Sequence, residues 1–284
     1  MRDFEAFTIR LEGFRHRFYR AGAPEGRPIV GLHGFGASGR LYRMTAPYWA
    51  EAGYTLYALD LLGFGESERP RNICYSLPLY VSLLCAFQEA LGIERAPLVA
   101  HSLSGKIGLA QALWHPQRLS HLILVAPAGW HPAEKLPLLA HVPGLGTVFR
   151  SFFSHPVMAH LLLRLLLPDA DPEQRRSHRD TLAALVRSSR WMDLDRWGLR
   201  RNLSDRLKTP VTLLWGASDR LLPLRWASRI RKRLPRARVI VVPEAGHLPM
   251  REQPEAFVGA VLGAIKLEGE GYVTTQQEPH RGPI

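Results

Sequence analysis

Short apolar runs rich in β-branched residues alternate along this 284-residue chain with longer stretches of helical period. That alternation restricts the fold to the α/β class, a mostly parallel sheet with helices packed on its faces. Runs at 8–11 and 14–20 flank Glu12-Gly13 and predict an N-terminal hairpin. Runs at 28–33, 55–60, 97–101, 121–126, 211–215 and 238–242 predict six buried strands. Helical periodicity covers 41–52, 77–91, 104–115 and 254–267. Each crossover is long enough to bring a parallel strand back beside its predecessor.

The rhythm breaks between Gly129 and Pro210, where some eighty residues carry no convincing strand. The expectation is a core domain built from 1–128 and 211–268, with a helical cap inserted at 129–210. The leucine-rich run at 161–167 reads either as a helix buried against the core or as a lid whose inner face meets an apolar substrate. Residues 269–284, rich in Gly, Gln and Pro, are expected to form a poorly ordered tail.

Hydrophobic residues at 46% and charged residues at 22% exclude a disordered, collagen-like or multi-span membrane chain. The balance of 37 Lys+Arg against 25 Asp+Glu, a formal charge of +12, could serve nucleic acid, an anionic membrane or acidic substrates. Arg220, Arg225, Arg229, Arg231, Lys232, Arg233, Arg236 and Arg238 crowd one segment before the last strand. No recognition motif or aromatic platform accompanies them, so no nucleic-acid partner is expected. The cluster reads as solvated surface, with weak attraction to an anionic membrane as its one partner. Cys74 and Cys85 make neither a disulfide framework nor a metal-ligand spacing. With no apolar signal in the first residues and no apolar run near 18 residues, a cytoplasmic location and no metal are expected.

Gly34-Phe35-Gly36-Ala37-Ser38-Gly39 follows a predicted strand and precedes Asp60 by about twenty residues, the layout of a dinucleotide-binding turn with its ribose acid. A hairpin before the strand and a second Gly-rich turn after Asp60 weigh against that reading. A different constellation accounts for the same loop. At Ala100-His101-Ser102-Leu103-Ser104 a strand runs into a helix through small residues, as an exposed serine nucleophile needs where the two backbones crowd. The competing reading is that Ser102 caps the helix. Asp219 and His247 each follow a further predicted strand through a Gly-containing turn. Ser, Asp and His thus occur in that order at the C-terminal ends of parallel strands, where open α/β sheets place their ligands.

These motifs resemble the α/β-hydrolase superfamily over nearly the whole chain, with a cap after the sixth strand. His33-Gly34-Phe35-Gly36 matches its oxyanion loop, Ala100 to Ser104 its nucleophile elbow, Trp215 to Asp219 its acid turn and Gly246-His247 its histidine loop. Asp60-Leu61-Leu62-Gly63-Phe64-Gly65-Glu66-Ser67 resembles its loop after the fourth strand. The resemblance implies Ser102 as nucleophile, His247 as general base, Asp219 as its orienting acid, and the N–H groups of Phe35 and Leu103 as oxyanion donors, with no cofactor. It also offers His33, Gly34, His101, Trp130 and Leu248 as pocket residues. A serine at the nucleophile position disfavours alkyl-enzyme chemistry, which needs a carboxylate there. His101 beside the serine favours carboxylic esters, with an apolar small-molecule ester as substrate. C–C bond, pigment-ester or lactone hydrolysis and a non-catalytic ligand-binding homologue are the alternatives.

Overall fold

The computed structural model describes residues 4–23, 25–130 and 192–266. Eight strands form one sheet: β1 (Phe4–Leu11), β2 (Phe14–Gly22), β3 (Arg27–Leu32), β4 (Tyr54–Leu59), β5 (Ala96–His101), β6 (Leu119–Val125), β7 (Val211–Gly216) and β8 (Arg238–Val242). They lie in the order β1-β2-β4-β3-β5-β6-β7-β8. The hairpin β1–β2 and its junction with β4 are antiparallel, and every pairing from β4 to β8 is parallel. The expected hairpin and all six later strands are therefore present. Because β3 and β5 are central neighbours while β4 lies outside β3, chain direction across the sheet reverses at β3. The crevice at such a switch opens at the C-terminal strand ends.

Side chains alternate between the two faces of each central strand, as a period of two requires. Leu122 and Leu124 of β6 join one core cluster, and Ile123 and Val125 join the other. The first cluster is closed by α2 (Leu77–Ala90), α3 (Ser104–Trp114) and α5 (Arg225–Arg231). The second is closed by α1 (Ala46–Glu51) and α7 (Pro254–Lys266). Two short helices complete the set: α4 (Leu203–Arg206) adds Leu203 to the first cluster, and α6 (Pro249–Glu252) adds Met250 to the second. The Ser76 hydroxyl accepts the Leu79 N–H at 3.3 Å and caps α2, with Pro78 in its first turn.

Two expectations are corrected. The helical period at 41–52 is split into a 3₁₀ segment, Gly39–Thr45, and α1. Pro47 lacks an N–H for an i→i−4 ladder, so it is tolerated only where a new helix starts. The last strand, expected to be buried, is the sheet edge: Val242 is buried but Val241 is 40% exposed. Most of the expected cap, including the leucine run, and the expected tail lie outside the described residues. Of the stretch assigned to the cap, Met192, Leu194, Leu199, Leu203 and Leu207 are buried in the same cluster as α2 and α3.

Candidate active site

Ser102 stands between β5 and α3 with φ +51°. This left-handed conformation costs a residue with a Cβ about 1–3 kcal/mol unless its surroundings hold it. They do so through the main chain: the Ser102 N–H donates to Val125 O at 2.9 Å, and its carbonyl accepts from Gly105 (3.0 Å) and Ala128 (2.9 Å). Helix α3 starts with Leu103 at its cap position and no side-chain cap bond, which removes the capping reading of Ser102. Small residues are required on both sides. A Cβ on Gly108 would lie 3.0 Å from Ala100 Cβ, and one on Gly105 would lie 2.6 Å from Pro127 Cβ. Buried Ser104 does more than save space, since its hydroxyl lies 2.9 Å from His101 O and 3.1 Å from Leu32 O and donates toward these carbonyls. This ties the elbow to the end of β3, a role the sequence reading did not include.

The acid turn and the histidine loop are packed backbone to backbone. Ala217 N–H donates to Val242 O (3.0 Å) and Ser218 N–H to Ala245 O (2.8 Å). A Cβ on Gly216 would overlap the Gly246 and Ala245 carbonyls, so only glycine permits the approach. The Asp219 carboxylate is buried. Its Oδ1 accepts from the N–H of Leu221 (2.9 Å) and Leu222 (2.8 Å), while Oδ2 accepts from His247 Nδ1–H at 2.8 Å. Trp215 Nε1–H closes the turn by donating to Leu222 O at 2.6 Å. With Nδ1 protonated toward the carboxylate, neutral His247 carries its lone pair on Nε2, the form a general base needs.

Of the five pocket candidates, two are committed to the fold. His33 is buried: its Nδ1 donates to Gly34 O at 2.7 Å and its Nε2 accepts the Leu61 N–H at 3.0 Å. It therefore joins the loop after β3 to the loop after β4. His101 is also buried, with Nε2–H donating to His247 O at 2.9 Å and its ring 4.8 Å from the His247 ring. Burial holds its pKa well below the usual histidine value, with the neighbouring His247 adding to the effect, so it is neutral at physiological pH. Gly34 lets the loop after β3 pass over this ring, where a Cβ would come within 2.8 Å of His101 Nδ1 and 3.0 Å of Ser102 Cβ. Trp130 is half-buried against the first cluster with the Arg200 guanidinium 5.4 Å above its ring. Leu248 is half-buried against the second. The Phe35 ring meets Phe64 edge-on at 5.7 Å. Among the described residues, the N–H groups of Phe35 and Leu103 find no backbone acceptor.

Asp60 is not placed to receive a ribose. Its carboxylate is buried, with Oδ1 accepting from Gly39 N–H (2.6 Å) and Oδ2 from Glu66 N–H (2.7 Å). Burial raises its pKa to about 6, against the opposing effect of those two bonds. Gly65, with φ +54°, wraps the carboxylate so closely that a Cβ would overlap it. Both glycine-rich turns thus close on a structural acid, which removes the dinucleotide reading.

A family model described as alpha/beta hydrolase fold matches residues 27–254. The hydrolase YugF of Bacillus subtilis is 27% identical over 253 residues, 86% of this chain and 91% of its own. A 2-hydroxymuconate semialdehyde hydrolase of Pseudomonas putida is 27% identical over 271 residues, 89% of this chain and 91% of its own. Among solved structures, a haloalkane dehalogenase of Agrobacterium tumefaciens superposes with a TM-score of 0.70 at 21% identity, covering 93% of this chain and 97% of that one. That likeness speaks to the fold, which hosts unlike reactions on one scaffold. Sheet order, the left-handed serine between β5 and α3, the bonded acid and histidine after β7 and β8, and the matched family model converge: the chain belongs to the alpha/beta hydrolase fold family.

Proposed function

We propose that the protein is a serine hydrolase that cleaves carboxylic esters with apolar acyl or alcohol groups through an acyl-enzyme on Ser102. The observation that carries this reading is the pairing of Ser102 at φ +51° with the His247–Asp219 bond of 2.8 Å. A serine hydroxyl is a weak nucleophile until a base removes its proton as the bond forms. His247 Nε2 takes that proton as Ser102 Oγ attacks the carbonyl carbon. The imidazolium so formed is stabilised by Asp219, which also fixes the tautomer. The Phe35 and Leu103 N–H groups receive the developing oxyanion, each worth about 2.7–4 kcal/mol of transition-state stabilisation. Collapse of the intermediate breaks the ester C–O bond, and the alcohol leaves with the proton from His247. Water, deprotonated by the same histidine, then attacks the acyl-enzyme and releases the carboxylic acid.

Carbon–carbon bond hydrolysis is the second reading. It is favoured by the Pseudomonas putida relative, whose name assigns it a semialdehyde substrate. The same base and oxyanion donors would serve it, with a carbon leaving group protonated in place of an alcohol. Seven of the eight cations at 220–238 are exposed, and weak adsorption to anionic membranes would concentrate a lipidic ester near the site. Among the described residues no helix is long and apolar enough to cross a membrane. The proposed location is the cytoplasm, the proposed partner is a small-molecule ester, and nucleic acid is excluded from the proposal.

The test is a series of p-nitrophenyl esters of increasing acyl length, run beside 2-hydroxy-6-oxo-dienoates as carbon–carbon substrates, with Ser102→Ala as control. Ester turnover that rises with acyl length and vanishes in the control is the expected result. Turnover of the dienoates alone would shift the assignment to the second reading.

A further inference from the structure

His247 must keep its ring in line with both Asp219 and Ser102, and among the described residues the hydrogen bond of its side chain goes to Asp219. The ring's direction is then set mostly by its own main chain, which the structure pins on both sides. One carboxylate oxygen of Glu252, Oε2, accepts the Gly246 N–H. The other, Oε1, accepts the Leu248 N–H at 3.0 Å. The Glu252 N–H returns a bond to Leu248 O at 3.0 Å, and His101 Nε2–H holds the His247 carbonyl at 2.9 Å. Gly246 makes room for the bracket, because a Cβ there would lie 2.9 Å from Glu252 Oε2.

We propose that Glu252 is a positioning residue for the hydrolase reaction, spanning the peptides before and after His247 so that the imidazole is presented at a fixed angle. The proposal rests on the reading of His247 as the general base. Only a carboxylate offers two acceptors in this spacing. A glutamine keeps one and turns an NH₂ group toward the other amide, and an aspartate is one methylene shorter. Glu252 is exposed, so water competes for these bonds and they add little to global stability. Their effect falls on the geometry of one loop. A misplacement of about 1 Å in such a constellation costs on the order of 10²-fold in rate.

The experiment uses the full chain with Glu252→Gln and Glu252→Ala, and reads three quantities. The first is kcat and KM on the best ester. The second is the far-downfield proton resonance of the His247 Nδ1–H, identified by its loss in Asp219→Ala. The third is the melting temperature. The expected result is a fall in kcat of roughly 10- to 100-fold with KM within about twofold, a broadened or lost downfield resonance, and a melting temperature lowered by no more than ~2–4 °C. Retention of the resonance in both variants overturns the proposal whatever the rates do. A larger melting shift in both variants also overturns it, by making Glu252 a general stabiliser. Failure of the hydrolase reading is told apart by the parent protein. If that shows no turnover, the resonance comparison still reports whether Glu252 holds His247.

Discussion

The Nδ1–H of His247 donates to Oδ2 of Asp219 across 2.8 Å, and the other oxygen of that carboxylate is held by two main-chain N–H groups of its own turn. The acid is therefore fixed from one side and spends its remaining oxygen on a single partner. Asp219→Asn preserves the shape and reverses the tautomer preference. Its expected effect is a fall in kcat of about 10⁴-fold with the fold intact. A loss below tenfold in steady-state kinetics would show that the bond does not orient a base.

The left-handed backbone of Ser102 gives a stability prediction of opposite sign to its effect on activity. Glycine adopts φ +51° without the penalty carried by residues with a Cβ. Ser102→Gly should raise unfolding stability by about 1 kcal/mol while abolishing turnover. Ser102→Ala should abolish turnover without that gain. Denaturant melts of the two variants beside the parent protein decide the point, and equal stabilities for Gly and Ala would mean that the elbow is not strained.

Much of this site was legible in the order of residues because its parts are local. Ser102, Asp219 and His247 each sit one short turn past an apolar strand, and apolar runs mark strand ends well. Other features depend on contacts between segments distant in sequence, which periodicity does not report. Residue order offers His33 and His101 as pocket walls, and only the packing of four loops shows both ring nitrogens of His33 bonded to Gly34 and Leu61 and Nε2 of His101 bonded to His247. Asp60 allows two readings from its spacing alone, and the Gly39 and Glu66 amides on its carboxylate decide between them. Glu252 was missed, although its place five residues after His247, at the end of a short Pro-initiated helix, is the signal that could have found it. The edge position of β8 was also hidden, since Arg238-Val239-Ile240-Val241-Val242 is as apolar as a central strand apart from its first residue.

The contact between the acid turn and the histidine loop makes Gly216 a test of geometry away from the reacting atoms. A Cβ there overlaps the carbonyls of Ala245 and Gly246, so Gly216→Ala must push the histidine loop outward. A fall in kcat on the order of 10²-fold is expected, with a smaller proportional change in KM. Wild-type kinetics in this variant would mean that the two loops separate without displacing His247.

His121 supplies a pH prediction independent of catalysis. It is buried, bonds Thr212 Oγ1 at 2.9 Å, and has its pKa lowered to about 4 by burial and by Arg238. Between pH 6.5 and 4 the unfolded chain takes up a proton that the folded chain refuses, so stability falls as the pH drops. From pH 7.5 to 5 the loss is roughly 2 kcal/mol. Asp60 acts in the opposite sense, since with a pKa near 6 its folded form gains the proton first and is favoured as pH falls from about 6 toward 4. The difference between parent and His121→Gln isolates the histidine, and it should move by about 2 kcal/mol in favour of the variant over that interval. A difference that stays constant with pH contradicts the assignment.

The central claim is that Ser102 is a nucleophile activated by His247, and intact-protein mass spectrometry after exposure to a fluorophosphonate tests it most directly. One adduct per chain is predicted, located on Ser102 by peptide mapping, formed rapidly in the parent protein and absent from Ser102→Ala. Its rate should fall by at least a hundredfold in His247→Ala. An unlabelled parent protein, or an adduct that persists in Ser102→Ala at the same rate, would contradict the account.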